Sequence, residues 1–478
     1  MARVPLQGGA YQAASLLASA QRCVNLYAEQ NPPDSPFPFT YYPTPGLKLL
    51  FNTGDGGHIR LVYRDSKGNL YVVSGHRVYR LNPIGWRLTY VGSVNTVQGP
   101  MRATDNGVDI IFVDGSADGF ILNIATQAWS QIDDPAWYGS QSADTVDTYM
   151  IFGWPGNGEM YTTLAQSTTF DASYFAAKSG APDPVQAIAA VHKEIWLLGT
   201  DTTEVWFDAG NPNFPFERIP GVFIQQGVAA VWSVAKANEN LFWIGRGEQG
   251  NAMPYMSQYY QAVPIGTPAI VDEWQTYARI DDATAFTYQI GSHVFYVVTF
   301  PTADRSWVYD VLTQQWHEWL SMDASGALHA HVSGSYCFTG SMHLLGDANS
   351  GNVYQLDVNT FTDNGAAIPR IRGFPHLSDF NSGARQFYKY FLANVEVGRG
   401  LSDGTTGAPP ILLRWSDDGG YTWGQPIEGN LGAVGQSIRS VQWNRLGYAR
   451  DRVFEVSWSA NARSSLNGAY VSWEVGRS

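Results

Sequence analysis

His293-Val294-Phe295-Tyr296-Val297-Val298, then Trp307-Val308-Tyr309-Asp310, then Trp316, is one copy of a pattern that recurs along the chain. Runs of β-branched and aromatic residues suit a pleated, half-buried surface. The same order appears as His58–Arg64, the turn Asp65-Ser66-Lys67-Gly68-Asn69, Leu70-Tyr71-Val72-Val73, Val78-Tyr79-Arg80-Leu81 and Trp86. It returns with Asp109–Val113, Phe120–Asn123 and Trp129, with Glu194–Leu198 and Glu204–Asp208, and with His343-Leu344-Leu345, Val353–Leu356 and Phe361. Two copies end alike, Asn123-x-x-Thr126-x-x-Trp129 and Asp310-x-x-Thr313-x-x-Trp316. Asn or Asp opens the turn, Thr supports it, and Trp begins the next strand. Unit starts fall near residues 57, 101, 146, 185, 228, 283 and 328. A period of about 40 to 55 residues is that of a β-propeller, in which radial stacking leaves only short edges. The expectation is an all-β chain with a propeller of six or seven blades over 51–365, ring closure being able to combine the first and last pieces.

Outside the repeats the rhythm changes. Residues 1–50 are expected to be an extended N-terminal arm. Asn31-Pro32-Pro33-Asp34-Ser35-Pro36-Phe37-Pro38 favours polyproline II, and Pro45-Gly46 favours a type II turn. Residues 366–386, with Pro369, Gly373, Pro375 and Gly383, read as a connector. Beyond it, Phe387–Val397, Ile411–Ser416, Ser440–Arg445 and Arg452–Trp458 alternate as long strands. This predicts a smaller antiparallel, sandwich-like C-terminal domain over 387–478.

Composition narrows the function. The 478 residues carry a net charge of −13, whereas a protein that grips DNA by its phosphates needs a basic surface. Cys23 and Cys337 stand far apart with no C-x-x-C spacing, so neither a disulfide framework nor a zinc site is expected, and a reducing compartment fits. No apolar run approaches a membrane span. Ala18-Ser19-Ala20 imitates a signal-peptidase site, but Gly8, Gly9, Tyr11 and Gln12 break the apolar stretch before it.

Ser416-Asp417-Asp418-Gly419-Gly420-Tyr421-Thr422-Trp423 has the S-x-D-x-G-x-T-W spacing of an Asp box. Asp followed by Gly folds into a tight turn. Ser416, Asp418, Gly420, Thr422 and Trp423 are therefore expected to shape a hairpin, with Trp415 and Trp423 as anchors. The motif resembles that of sialidase-type propellers, so a glycan-binding or glycan-cleaving propeller is the alternative reading. It sits outside the repeats, which weakens that alternative. A glycosidase also needs two positioned carboxylates. The pairs Asp133-Asp134, Asp272-Glu273 and Asp281-Asp282 are adjacent, and neighbours on a strand face opposite ways. Gly153-Trp154-Pro155-Gly156-Asn157-Gly158 lacks the Lys-Ser/Thr of a phosphate loop. His329 and His331 share a strand face and His343 can join them across a hairpin, a weak candidate metal site. No cofactor and no catalytic residue is assigned. Strand tryptophans such as Trp196, Trp206, Trp243 and Trp307 offer a sugar platform as one reading, but most read as inter-blade core.

Several stretches, taken in order, resemble one family. They are Arg22–Glu29 with Pro43-Thr44-Pro45-Gly46-Leu47; Thr169-Phe170-Asp171-Ala172 with Asp183-Pro184-Val185 and Thr203-Glu204-Val205-Trp206; Gly221 through Asn240–Gly245; Thr287-Tyr288-Gln289 through Trp316-His317-Glu318; and Ser416–Trp423 with Val453–Val456. The ordered set resembles the tail-hub, or nozzle, proteins of short-tailed phages, the packaged-DNA stabilisation proteins. The resemblance implies a non-enzymatic virion protein of the tail, made in the host cytoplasm. It implies a homo-oligomeric ring, usually a hexamer, below the portal and its adaptor. A needle or plug closes the far end, tailspikes or fibres attach nearby, and double-stranded DNA passes through the channel without specific binding.

Overall fold

The computed structural model describes residues 2–4, 8–211, 214–247, 250–379, 383–396, 408–432 and 438–476. Seven antiparallel blades form the propeller. Six are contiguous in sequence, spanning 59–93, 102–131, 143–177, 185–218, 235–264 and 284–318. The seventh combines Ser333–Phe338, His343–Asp347 and Asn352–Asp357 with Gly46–Asn52. The first strand of each blade lies innermost, and most pack against the first strand of the next blade, as in blades 2 and 3, 3 and 4, 5 and 6, 6 and 7, and 7 and 1.

The second strands read as unbroken apolar runs because they are covered on both faces. Ile110, Ile111 and Phe112 are fully buried, as are Phe295, Tyr296, Val297 and Val298. One side of each run packs on the preceding blade and the other on the following one. Thus Trp196, Leu198 and Val205 of blade 4 meet Leu241, Trp243 and Tyr255 of blade 5. The shared Asn/Asp-x-x-Thr-x-x-Trp spacing produces one turn twice. Asn123 Oδ1 accepts from Thr126 N and Oγ1, both at 2.9 Å. Asp310 Oδ2 accepts from Thr313 Oγ1 at 2.7 Å. Each turn ends in a left-handed residue, Gln127 or Gln314, with φ of 59° and 56°.

The N-terminal segment is less of an arm than its sequence suggests. Gly46–Asn52 is the outer strand of blade 7, in register from Gly46 opposite Asp357 to Asn52 opposite Asn352. Its partner lies some 300 residues away, so local pattern could not place it. Leu26–Gln30 and Phe39–Pro43 form a hairpin. The proline-rich stretch between them is a compact loop, not polyproline II. Asn31 N donates to Pro38 O, and Asn31 Nδ2 donates to Phe37 O at 2.8 Å. The Asn31 amide therefore overrides the extended bias of its prolines.

Cys23–Val24 takes an unusual place. It pairs in parallel with the outer strand of blade 6, Glu318 opposite Val24, and antiparallel with Arg370–Gly373, Ile371 opposite Val24. Blade 6 thereby continues into the C-terminal domain as one ten-stranded sheet. The expected connector is partly strand, since Arg370–Gly373 and Leu377–Ser378 both pair with Asp451–Trp458.

The C-terminal domain is a sandwich. One sheet holds Gln386–Glu396, Ile438–Asn444 and Ser465–Val475, joined by Leu26–Gln30 and Phe39–Pro43. The facing sheet holds Arg370–Gly373, Asp451–Trp458, Pro410–Ser416 and Ile427–Asn430. Phe391 of the first meets Phe454 of the second with ring centroids 4.8 Å apart. The helix Pro268–Gln275 buries Trp274 against Phe300 and Trp316 beside blades 5 and 6. No helix among the described residues is long and apolar enough to cross a membrane.

Candidate functional site

Inner strands of a propeller surround an axis, and here the axis is obstructed. Arg102 leaves the first strand of blade 2 and crosses to the turn before blade 5. Its Nη2 donates to the carbonyls of Val231 and Val234, at 3.3 and 3.0 Å. The guanidinium stands 5.6 Å from the centre of the Trp232 ring. Burial pushes its pKa down, with Asp144 acting in the other direction. Further round, Lys236 Nζ lies 2.6 Å from Asp144 Oδ2, and the hydroxyls of Thr104 and Thr145 meet at 2.5 Å. The space left along the axis is about 480 Å³. With Arg102 bonded across from blade 2 to the turn before blade 5, no open passage for a double helix runs there. Among the described residues, five buried cations nearly cancel six buried carboxylates, so the acidic excess is a property of the surface.

The Asp-box turn is built as its spacing requires. Asp418 Oδ1 accepts from Ser416 Oγ at 2.6 Å and Thr422 N at 2.9 Å, while Oδ2 accepts from Thr422 Oγ1 at 2.6 Å. Gly420 N donates to Ser416 Oγ at 2.7 Å. Gly419 and Gly420 have φ of 81° and 105°, and a Cβ on either would strike Leu17 or Ala20. The turn is thus packed against the N-terminal segment rather than open to a ligand. Trp415 anchors it, with Phe454 6.3 Å away. Trp423 does not reach the core as expected. It lies in the loop under Arg414, 4.7 Å from ring centre to guanidinium. Arg414 in turn pairs with the buried Glu455.

The three histidines take separate partners. His329 is exposed and bridges Asp304 at 2.7 Å and Asp323 at 3.4 Å. His331 is buried, stacked on Trp319 at 3.8 Å. His343 Nδ1 meets Tyr336 Oη at 2.7 Å. Among the described residues no three His, Cys, Asp or Glu side chains are grouped to hold a metal ion. The adjacent carboxylates serve turns. Asp134 accepts from the backbone of Ala136 and Phe170, Asp282 from Thr302 N, and Asp281 forks onto Arg279. Glu273, next to Asp272 on the helix, accepts from Tyr277 Oη at 3.3 Å. The Gly153–Gly158 stretch closes a hairpin, Trp154 N donating to Glu159 O. Trp196, Trp206, Trp243 and Trp307 are all buried between blades.

Acid should weaken the fold in a readable order. Ser416 and Thr422 hold the Asp418 carboxyl down to about 2. Burial opposes ionisation of Asp183, but Lys178 and Thr202 override it and bring that carboxyl to about 2 as well. Burial pushes His317 down to about 4 and His331 to about 3. Unfolded, these groups titrate near about 3.9 and 6.5. The histidines favour the folded state fully above about pH 6.5, and this is lost as pH falls towards 4. The carboxylates' share is lost between about pH 4 and 2. Because Asp363, pushed up to about 7 by burial, and the raised His376 and His329 act in the opposite sense, the histidine share is read as a difference. The gap in denaturant midpoint between the parent chain and His331→Gln should be level from pH 7 to 8 and change as pH falls below about 6.5, in the sense that the parent loses more. Asp418→Ala should lower the midpoint at neutral pH.

Comparison with known proteins adds a family. The phage-stabilisation family model described as Bacteriophage P22 Gp10, beta-propeller, matches residues 2–361. No curated protein matches the sequence. Among solved structures, the extracellular domain of a hybrid two component system from B. thetaiotaomicron is similar at 10% identity and a TM-score of 0.44, over 78% of this chain and 44% of that one. The computationally designed Ika8 protein is similar at 11% identity and a TM-score of 0.38, over 71% of this chain and 100% of that one. The chain spans less than half of the first of these.

Proposed function

The chain belongs to the phage-stabilisation family of the P22 Gp10 β-propeller, and from that premise we propose that it is a tail-hub subunit of a short-tailed phage. In this reading it is a virion protein without catalytic turnover. Several copies, six by the family resemblance, form a ring below the portal adaptor. The ring carries tailspikes or fibres, is closed by a needle or plug, and retains the packaged genome.

The observation that carries the reading furthest is the obstructed propeller axis. With Arg102 and Trp232 across it, DNA has to run between copies and not through one of them. A channel framed by several acidic subunits suits a conduit that must release its contents. Repulsion screened over about 8–10 Å keeps a duplex centred without binding it. The Asp-box turn gives no support to the glycan-cleaving alternative, because its polar groups are consumed within the turn.

Mass measurement tests the proposal. Light scattering on the purified chain, alone and with its portal adaptor, should give a ring several-fold heavier than 52.6 kDa in at least one case. A monomer in both that hydrolyses a sialoside overturns it, as does a ring whose lumen is lined mainly by Lys and Arg.

A further inference from the structure

We propose that the groove between blades 4 and 5 binds a neutral saccharide. The groove encloses about 550 Å³ and opens between three hairpin turns, His192-Lys193, Asn238-Glu239 and Tyr259-Tyr260. Its construction costs backbone strain. His192, Lys193, Asn238, Glu239 and Tyr259 have φ of 54°, 64°, 45°, 69° and 54°, a region that side chains other than glycine enter reluctantly. Tyr259 is the clearest case. It fills the first central position of a two-residue turn between the paired Gln258 and Gln261, where glycine is the usual residue. Yet it is 88% exposed, so no burial offsets the strain. Such positions concentrate where a side chain is held for a task.

The lining selects among ligands. Trp196, 3% exposed, forms the floor beside Met256, and its indole N–H donates to no protein acceptor among the described residues. Tyr260 leans across from blade 5, its hydroxyl donating to Glu194 of blade 4 at 2.7 Å. Asn238, Asn240 and Gln258 stand on the rim. No Lys or Arg lines the groove, and Lys193 in the turn at its edge is paired with Asp147 at 3.0 Å, which disfavours phosphates, carboxylates and sialosides. The two carboxylates are partly taken, Glu194 by Tyr260 and Glu239 by His192 at 3.7 Å, which disfavours a basic peptide. A polyhydroxylated ring remains the best fit. Its C–H face stacks on tyrosine, and its hydroxyls both donate to and accept from carboxamides. Ligand sites commonly combine aromatic walls with a few polar groups in this way.

The site is remote from the Asp-box turn and does not depend on the ring. Saturation-transfer NMR on the full chain tests it, with gluco-, galacto- and mannohexaose as neutral probes. A sialylated trisaccharide and a Lys/Arg hexapeptide serve as contrasts. At least one neutral hexaose should bind in the millimolar range. Tyr259→Ala should weaken it at least tenfold, and Tyr259→Phe should retain it. Tyr259→Gly should abolish binding while the melting temperature stays at or above that of the parent chain, which a merely structural tyrosine would not allow. Binding of none of the three hexaoses overturns the proposal. So does binding that survives Tyr259→Ala, or preference for the sialoside or the peptide. Any of these results leaves the tail-hub reading untouched.

Discussion

A chain lacking Gly46–Asn52 is expected not to reach a closed propeller. That strand supplies the fourth strand of blade 7, between Asn352–Asp357 and Thr362–Asp363, and buries Leu47, 1% exposed, against Leu345, Tyr354 and Leu356. Losing it exposes the edge of Asn352–Asp357 and one side of the interface between blades 6 and 7. Removing a buried leucine costs about 2–5 kcal/mol, and the lost backbone bonds add about 1 kcal/mol each. Exposed edges invite pairing with other chains, so aggregation should accompany the loss. Leu47→Asp tests the same closure with the chain intact, since it places a carboxylate among apolar side chains. Both variants should show faster proteolysis and a lower melting temperature. Adding a peptide of residues 44–54 should restore the deletion variant in part. A monodisperse deletion variant that melts with the parent chain would show that the seventh blade closes without this strand.

Arg452→Ala should be the most damaging single substitution in the sandwich. The side chain is 2% exposed. It forks onto Asp417, Nε to Oδ1 at 2.5 Å and Nη2 to Oδ2 at 2.7 Å, and also donates to Leu446 O. The guanidinium lies 4.7 Å from the Tyr388 ring centre and 5.0 Å from that of Trp415. One group thus joins both sheets and the Asp-box turn. Breaking a buried pair costs about 3–5 kcal/mol when the partner is stranded. The Asp417 side chain is 45% exposed and is rehydrated, which brings the expectation to about 3 kcal/mol. Arg452→Met keeps much of the volume and should lose less. In a double-mutant cycle with Asp417→Asn, a coupling near 1 kcal/mol identifies the ion pair, and the remainder is packing. Denaturant unfolding followed by tryptophan emission measures all three. A midpoint unchanged in Arg452→Ala would mean the rings hold the sandwich unaided.

The blades were legible because their chemistry is local. Runs such as Phe295–Val298 can only be covered on both faces, and Asn123 and Asp310 announce their turns three residues ahead of Thr. What stayed hidden depends on distant partners. Lys48 and the exposed Leu49 make Gly46–Asn52 look like surface chain, although Leu47 beside them is core. Arg370 and Arg372 fall in a stretch that reads as a connector, and Arg452 opens an alternating strand, yet all three are buried. Carbonyls satisfy them in part, such as Ala460 O for Arg370 and Gly9 O for Arg372, and carbonyls leave no trace in a sequence. His331 lies just past the strand Leu328–Ala330, so the shared face expected for His329 and His331 does not form: His329 stays exposed while His331 is buried on Trp319, a partner the local sequence does not announce. Arg102 carries no signal at all, since its role exists only once blades 2 and 5 face each other. The groove at Tyr259 had one legible sign, a tyrosine pair where a hairpin calls for glycine.

The sheet shared by blade 6 and the sandwich gives the molecule a load path. Tension applied to the sandwich reaches blade 6 in part through the backbone pairs of Cys23 and Val24. That seam is short in backbone pairs but pegged at each end. Arg22 forks onto Glu318 at 2.7 and 2.8 Å, and the Asn25 amide donates to Leu320 O on one side and Pro369 O on the other. Pegs of this kind resist sliding more than peeling. The same stretch of chain continues into the strand that closes the ring. A pull that slips the seam would therefore also reach Gly46–Asn52, the strand that closes blade 7.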